Sequence, residues 1–130
     1  MKINNDFKEI IETASSKALA TVGIEGVNVV PVSVVKVLDD SIFLYDFFMN
    51  KTADNVKGGS DVALAVWSGL VGIQIKGSGQ YLNEGDVFTA EIKEIKEKFP
   101  ERILKGVLVI TPTEIYDVSA DVNKAGLKLI

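Results

Sequence analysis

Val71-Gly72-Ile73-Gln74-Ile75-Lys76-Gly77-Ser78-Gly79-Gln80-Tyr81-Leu82 is the most regular stretch of the chain. Successive side chains of an extended segment point to opposite faces. Val71, Ile73, Ile75, Gly77, Gly79 and Tyr81 therefore share one face, and Gly72, Gln74, Lys76, Ser78 and Gln80 share the other. The pattern predicts a long strand with one face on a core and a polar face turned to solvent, a ligand or a subunit interface. Gly77-Ser78-Gly79 does not form a dinucleotide fingerprint, and glycines in such a strand permit a sharp bend.

The same strand period extends in both directions. Upstream, residues 18–22 are apolar, Gly23-Ile24-Glu25-Gly26 reads as a hairpin turn, and residues 27–38 form a long Val-rich strand. Pro31 inside it indicates an edge, a bulge or a stretch whose amide no neighbour needs. Asp39-Asp40 makes a turn before a strand over 42–48, and residues 61–68 form the strand before the regular one. Downstream, residues 106–118 form a last strand containing Pro112.

Three helices complete the reading. Phe7, Ile10, Ile11 and Ala14 recur at helical spacing, with Asn5 or Asp6 as cap. Residues 51–57 make a short helix ended by Gly58-Gly59, and residues 86–99 make a longer one stopped by Pro100. Tight turns between strands imply antiparallel pairing, and six twisted strands can close on themselves. The expected architecture is mainly β, a six-stranded antiparallel barrel with peripheral helices in one domain over 1–130. A two-layer α+β sandwich is the alternative.

Composition limits the chemistry. The 130 residues carry 14 Lys plus Arg against 18 Asp plus Glu, a net charge of −4, which argues against nonspecific nucleic-acid or acidic-membrane binding. There is no cysteine and no histidine. Disulfides, thiolate metal sites, cysteine nucleophiles, histidine haem ligands and Ser-His-Asp triads are thereby excluded, and no metal site is expected. Neither a signal-peptide core nor a membrane-length apolar run is present in the sequence, so a cytoplasmic location is expected.

Met49-Asn50-Lys51-Thr52-Ala53-Asp54-Asn55-Val56 follows a strand and opens a helix, where free backbone amides make an anion site. Lys51 adds a point charge and Thr52 a hydroxyl. Residue types alone favour the plainer reading, with Asn50 as cap and Lys51 solvated, because such helix starts are common. In the preceding strand Phe43, Tyr45 and Phe47 alternate with Leu44, Asp46 and Phe48. Two apolar faces predict a strand covered on both sides, by a core and by a partner or flat ligand. Trp67 is read as core or interface, and the run from Glu91 to Lys98 as a solvated helix face.

In order and spacing these pieces resemble the FMN-binding split barrels related to pyridoxamine 5′-phosphate oxidase, in particular the small bacterial FMN-binding proteins. The stretches that carry it are Ala18-Leu19-Ala20-Thr21-Val22-Gly23 with Glu25-Gly26, Pro31-Val32-Ser33, Val35-Lys36-Val37-Leu38-Asp39, Asn50-Lys51-Thr52-Ala53-Asp54-Asn55-Val56 and Gln74-Ile75-Lys76-Gly77-Ser78. The resemblance implies a split barrel of Greek-key type that works as a homodimer with one flavin at each end of the interface. It implies that Val32, Ser33 and Val34 face the isoalloxazine ring, and that Asp46, Phe47 and Phe48 add contacts. Lys51 and Thr52 match the phosphate-binding pair, which raises the helix start above its plainer reading, and Asn55 matches the position one turn on. Gln74 and Lys76 complete the site, with Trp67 contributed by the second subunit.

The implied function is that of a small flavin-dependent oxidoreductase or an electron carrier, served by NAD(P)H or a protein electron donor. A flavin-binding module without turnover, and a reductase using the deazaflavin F420 on the same scaffold, are the alternatives. The only arginine is Arg102 and there is no histidine, a departure from the oxidases' substrate-phosphate site. Pyridoxamine phosphate oxidation itself is therefore not expected, and no residue is assigned to catalysis.

Overall fold

The computed structural model describes residues 1–130. Three helices and seven strands follow in the order α1 (Asn5–Thr13), β1 (Ser16–Gly23), β2 (Gly26–Pro31), β3 (Val35–Val37), β4 (Ile42–Asp46), α2 (Asn50–Lys57), β5 (Asp61–Ser68), β6 (Val71–Leu82), α3 (Asp86–Lys98) and β7 (Gly106–Asp117). All strand pairs are antiparallel, in one sheet ordered β2-β1-β5-β6-β7-β4-β3.

The sheet has seven strands and is open, where six closing into a barrel were expected. The difference lies in the segment 27–38. Pro31 has no amide to donate and ends β2, and the chain resumes as β3 at the opposite edge of the sheet. That connection also shows how the sheet is shaped. The step from Pro31 to Val35 spans at most about 14 Å of extended chain. Seven strands laid flat would separate the two edges by about 29 Å. The sheet must therefore curl until β2 and β3 approach, although neither pairs with the other. Helix α1 crosses the same region and touches both β3 and β5. Glu12 Oε2 accepts the Val37 amide at 3.2 Å, and the Ser15 amide donates to Ser68 Oγ at 3.0 Å.

The inner face of this curl holds the main core. Leu19, Val37, Ile42, Leu44, Leu64, Ile75, Leu108 and Ile110 meet Ile11 from α1 and Ala53 and Val56 from α2. Each such fully buried aliphatic side chain contributes about 1.5–3 kcal/mol by leaving water. On the outer face, α3 covers only the β4–β7 side, where Ile95 packs with Phe43, Tyr45 and Val107. Strand β4 is buried on both faces as its sequence implied, but its second cover is α3 of the same chain, not a partner or a ligand. Nor is α3 wholly solvated. Glu91 is buried and accepts from Lys36 Nζ at 2.9 Å and Tyr45 Oη at 3.1 Å, while Glu94 accepts from Lys36 Nζ at 2.8 Å.

Two caps sit one residue away from expectation. Asn4, not Asn5 or Asp6, caps α1 by accepting the Phe7 amide at 2.9 Å. Asn50 is the first residue of α2, and Met49 holds the cap position without a side-chain bond.

Candidate functional site

The start of α2 is held by what precedes it. Strand β4 ends at Asp46, whose buried carboxylate accepts the Met49 amide through Oδ1 at 2.6 Å and the Tyr81 hydroxyl through Oδ2. The Tyr81 ring fills the space that a Cβ on Gly106 would occupy, and Lys57 Nζ lies 4.6 Å above it. Burial, then the Asp46 carboxylate, pushes the Tyr81 hydroxyl well above its ordinary pKa, so it remains a proton donor to Asp46. This arrangement fixes where the strand turns into the helix.

Past that turn, the amide of Asn50 donates to the Phe48 carbonyl at 3.2 Å, while those of Lys51 and Thr52 donate to no atom of the chain. Unpaired first-turn amides carry the positive end of the helix dipole. The Lys51 ammonium already holds an anion, because Glu25 Oε2 lies 2.8 Å from Nζ. Hydrogen bonding to that ammonium lowers the Glu25 pKa, and the carboxylate raises that of Lys51. The ammonium and the two free amides make a donor set of a kind that can hold an anion, and the Glu25 carboxylate occupies the ammonium.

Thr52 is buried, and its Oγ1 accepts from Asn28 Nδ2 at 3.0 Å. One helical turn on, Asn55 Nδ2 donates to Thr21 Oγ1 at 3.0 Å. Thr21 and Asn28 are cross-strand partners, so the β1–β2 hairpin presents one adjacent pair to the two helix residues. A cleft of about 760 Å³ separates hairpin and helix, lined by Ile24, Glu25, Asn28, Lys51, Asp54 and Asn55. That is the size of small-ligand sites generally.

The other residues of interest lie in two further places. Val32 and Val34 are half-buried and Ser33 exposed, in the link between the sheet's two edges, where the Val32 amide donates to the Lys17 carbonyl at 3.0 Å. Val34 and Phe47 pack on the same outer cluster, with the Arg102 guanidinium 5.1 Å above the Phe47 ring, and Phe48 is 90% exposed. Trp67, Gln74 and Lys76 occupy the outer face of β5 and β6, and no hydrogen bond links them to α2. Lys76 Nζ sits 5.2 Å from the Tyr116 ring.

The structure therefore gathers Lys51, Thr52 and Asn55 of α2 against the hairpin, sets Asp46 at the foot of that helix with Tyr81, joins Val34 and Phe47 in the outer cluster, and leaves Trp67, Gln74 and Lys76 apart. Sequence reasoning missed Glu25, Asn28, Thr21 and Tyr81. A signal was present for two of them. Thr21 shares the inward parity of Leu19, and Asn28 that of Val30, so each is a polar residue on a core-facing position.

The outer face of β2, β1, β5 and β6 has no helix over it. Across it run Val29, Ala20, Ala63 and Lys76 in one row and Pro31, Ala18, Ala65 and Gln74 in the next. Val22, Val27 and Val29 are exposed at 52%, 80% and 63%. Small side chains beside exposed valines make a flat apolar patch of the kind that marks interaction sites.

Comparison with known proteins agrees with this architecture. The sequence pattern of the pyridoxamine 5′-phosphate oxidase family matches residues 3–119. An uncharacterized protein of Methanocaldococcus jannaschii is 34% identical over 107 residues, covering 78% of this chain and 72% of that one. Among solved structures, HupZ of Group A Streptococcus superposes with a TM-score of 0.80 at 20% identity, over 96% of this chain and 98% of its own. An FMN-binding protein of Syntrophomonas wolfei gives a TM-score of 0.73 at 26% identity, over 88% of this chain and 84% of its own. No helix is long and apolar enough to cross a membrane. With its curled sheet, its α2 start and a family match over nearly its whole length, the chain belongs to the pyridoxamine 5′-phosphate oxidase family, within the FMN-binding split-barrel superfamily.

Proposed function

We propose that the protein is an FMN-binding flavoprotein, working as a homodimer in redox chemistry as a small flavin-dependent oxidoreductase or electron carrier. The carrying observation is the α2 start, where the uncommitted amides of Lys51 and Thr52 and an ammonium already paired with a carboxylate form an anion site beside a ligand-sized cleft. The likeness to an FMN-binding protein supports flavin as the ligand class.

In this reading Lys51, the first-turn amides and the Thr52 hydroxyl hold the phosphate. Asn55 keeps α2 on the hairpin. Val32, Ser33 and Val34, with Phe47 and Phe48, border the ring. The uncovered outer face joins a second copy, which brings Trp67, Gln74 and Lys76 to the site. A bound flavin supplies the electron or hydride transfer. The chain binds, orients and excludes water, and needs neither histidine nor cysteine to do so.

The test is the visible spectrum of the purified protein, followed by FMN titration of the wild type and of Lys51→Ala/Thr52→Ala. A yellow protein releasing FMN on heating, and at least tenfold weaker FMN binding by the double variant, are expected. A deazaflavin spectrum would replace FMN with F420. Reduction by NADH or NADPH no faster than that of free FMN would leave a binding module without turnover. A colourless protein that binds no added FMN overturns the reading.

A further inference from the structure

We propose that Glu25 is an internal competitor at the α2 start, holding Lys51 until a phosphomonoester dianion takes its place. The inference rests on the flavin-phosphate reading above and deepens it. Glu25 and Ile24 are the two residues between Gly23 and Gly26, which pair to close the β1–β2 hairpin, and the φ of +98° at Gly26 allows so tight a turn. The carboxylate that meets Lys51 is thus carried by the hairpin tip and not by the helix.

The hairpin's three side-chain contacts on α2 are of two kinds, the Asn28–Thr52 and Thr21–Asn55 hydrogen bonds on one hand and the Glu25–Lys51 ion pair on the other. Asn28 to Thr52 is a bond to a buried hydroxyl and holds helix and hairpin together. Glu25 to Lys51 joins side chains that are 72% and 67% exposed. Neither charge is desolvated, so the pair exchanges freely with solvent ions. Replacing Glu25 moves one side chain and leaves the hairpin in place.

An incoming anion must compete with this internal one, and its apparent affinity falls by the fraction of time that Lys51 is free. Asp54 lines the same cleft, so two carboxylates oppose one ammonium there. An anion of single charge gains little over Glu25 on those terms. A phosphate dianion has more charge and more acceptor oxygens, enough to take Lys51 and the two uncommitted amides together. Glu25 therefore lowers the affinity for an anionic terminus, most completely for a singly charged one, and leaves that for a neutral one unchanged.

Titration of FMN and of riboflavin, which has the same ring and ribityl chain without phosphate, into wild type and Glu25→Gln tests this. With Lys51 held for about 70–90% of the time, Glu25→Gln should tighten FMN by about three- to tenfold and leave riboflavin unchanged. In a Lys51→Met background the same change should have no effect. Unchanged or weaker FMN binding by Glu25→Gln, with the FMN–riboflavin gap intact, overturns the role of Glu25 and spares the phosphate site. If the wild type binds FMN and riboflavin alike, the phosphate reading falls. The role of Glu25 is then read from inorganic phosphate at pH 8, followed by the amide NMR shifts of Lys51 and Thr52. Tighter phosphate binding in Glu25→Gln supports it there, and equal or absent binding overturns it.

Discussion

Asn55 lies against Gly23 so closely that a Cβ placed on the glycine would stand 1.9 Å from the Asn55 Oδ1. The absent side chain is what lets Asn55 reach Thr21 across the hairpin. Gly23→Ala should expel the Asn55 amide, break that bond and tilt α2 off the hairpin. Overpacking of this kind costs about 1–3 kcal/mol. Urea denaturation should show that loss, and FMN binding should weaken with it. Gly23→Ala of wild-type stability would mean that Asn55 has another place to go.

Gly77 has no such flexible neighbour. A Cβ there would meet the Thr111 carbonyl oxygen at 2.2 Å and its carbon at 2.9 Å, both backbone atoms. The position marks the register shift between Lys76 and Gly77, where β7 carries an extra residue against β6. Gly77→Ala must push the two longest strands apart, so a loss of about 2 kcal/mol or more is expected in the same denaturation assay. Gly79, whose Cβ would meet only Val62 and Val56 methyl groups at 3.1–3.2 Å, should tolerate alanine better.

The strands of this fold were legible in the sequence where one face alternates strictly. β5 and β6 begin and end at the expected residues, because a one-residue slip would bury Gln74 and Lys76 in the core. The break between β2 and β3 was not legible. Valines lie on both sides of Pro31, and no local pattern says that the chain leaves one sheet edge for the other. At the site, the start of α2 at Lys51–Thr52 could be read from its place after an aromatic strand, but only the family resemblance, not the residue types, raised it above an ordinary helix start. Its partners could not, since Asn28 lies 24 residues from Thr52 in the chain and meets it only through the curl of the sheet. Glu91 was misread for a similar reason, as Lys36 comes to it from 55 residues away.

The Lys36 cluster should make stability depend on pH at the acid end. Hydrogen bonding to Lys36, with a further bond involving Glu91, holds the Glu94 carboxyl at about 2, below the ordinary 4.5. A folded pKa below the unfolded one contributes stability that is present above pH 4.5 and is lost as pH falls through about 2. Lys36 is raised above 10.5, chiefly by Glu94, so its contribution is complete below that pH and is lost only in strong alkali. Lys36→Met takes from the buried Glu91 its cationic partner and leaves it the Tyr45 hydroxyl and the neighbouring Glu94, a change worth about 1–3 kcal/mol at pH 7. The gap between wild type and variant should narrow steadily from pH 4.5 toward pH 2. A gap constant over that range would show that packing of the lysine stem, not its charge, carries the effect.

The uncovered outer face gives the last prediction. Val29 lies on edge strand β2, 63% exposed, and is directly opposite Ala20 in a row that continues through Ala63 to Lys76. A charge at this position stays hydrated in an isolated chain, so Val29→Asp should leave the fold of the single chain intact and its intrinsic stability changed by no more than about 0.5 kcal/mol. In a homodimer built on this face the same carboxylate would be buried without a partner, which is strongly unfavourable. Analytical ultracentrifugation at micromolar concentration should therefore find wild type as a dimer and Val29→Asp as a monomer. Because the second copy is expected to bring Trp67, Gln74 and Lys76 to the flavin, the monomer should also bind FMN at least tenfold more weakly. A variant that remains dimeric would place the interface elsewhere. One that is monomeric yet binds FMN normally would confine the site to the α2 start and the 32–34 link of a single chain.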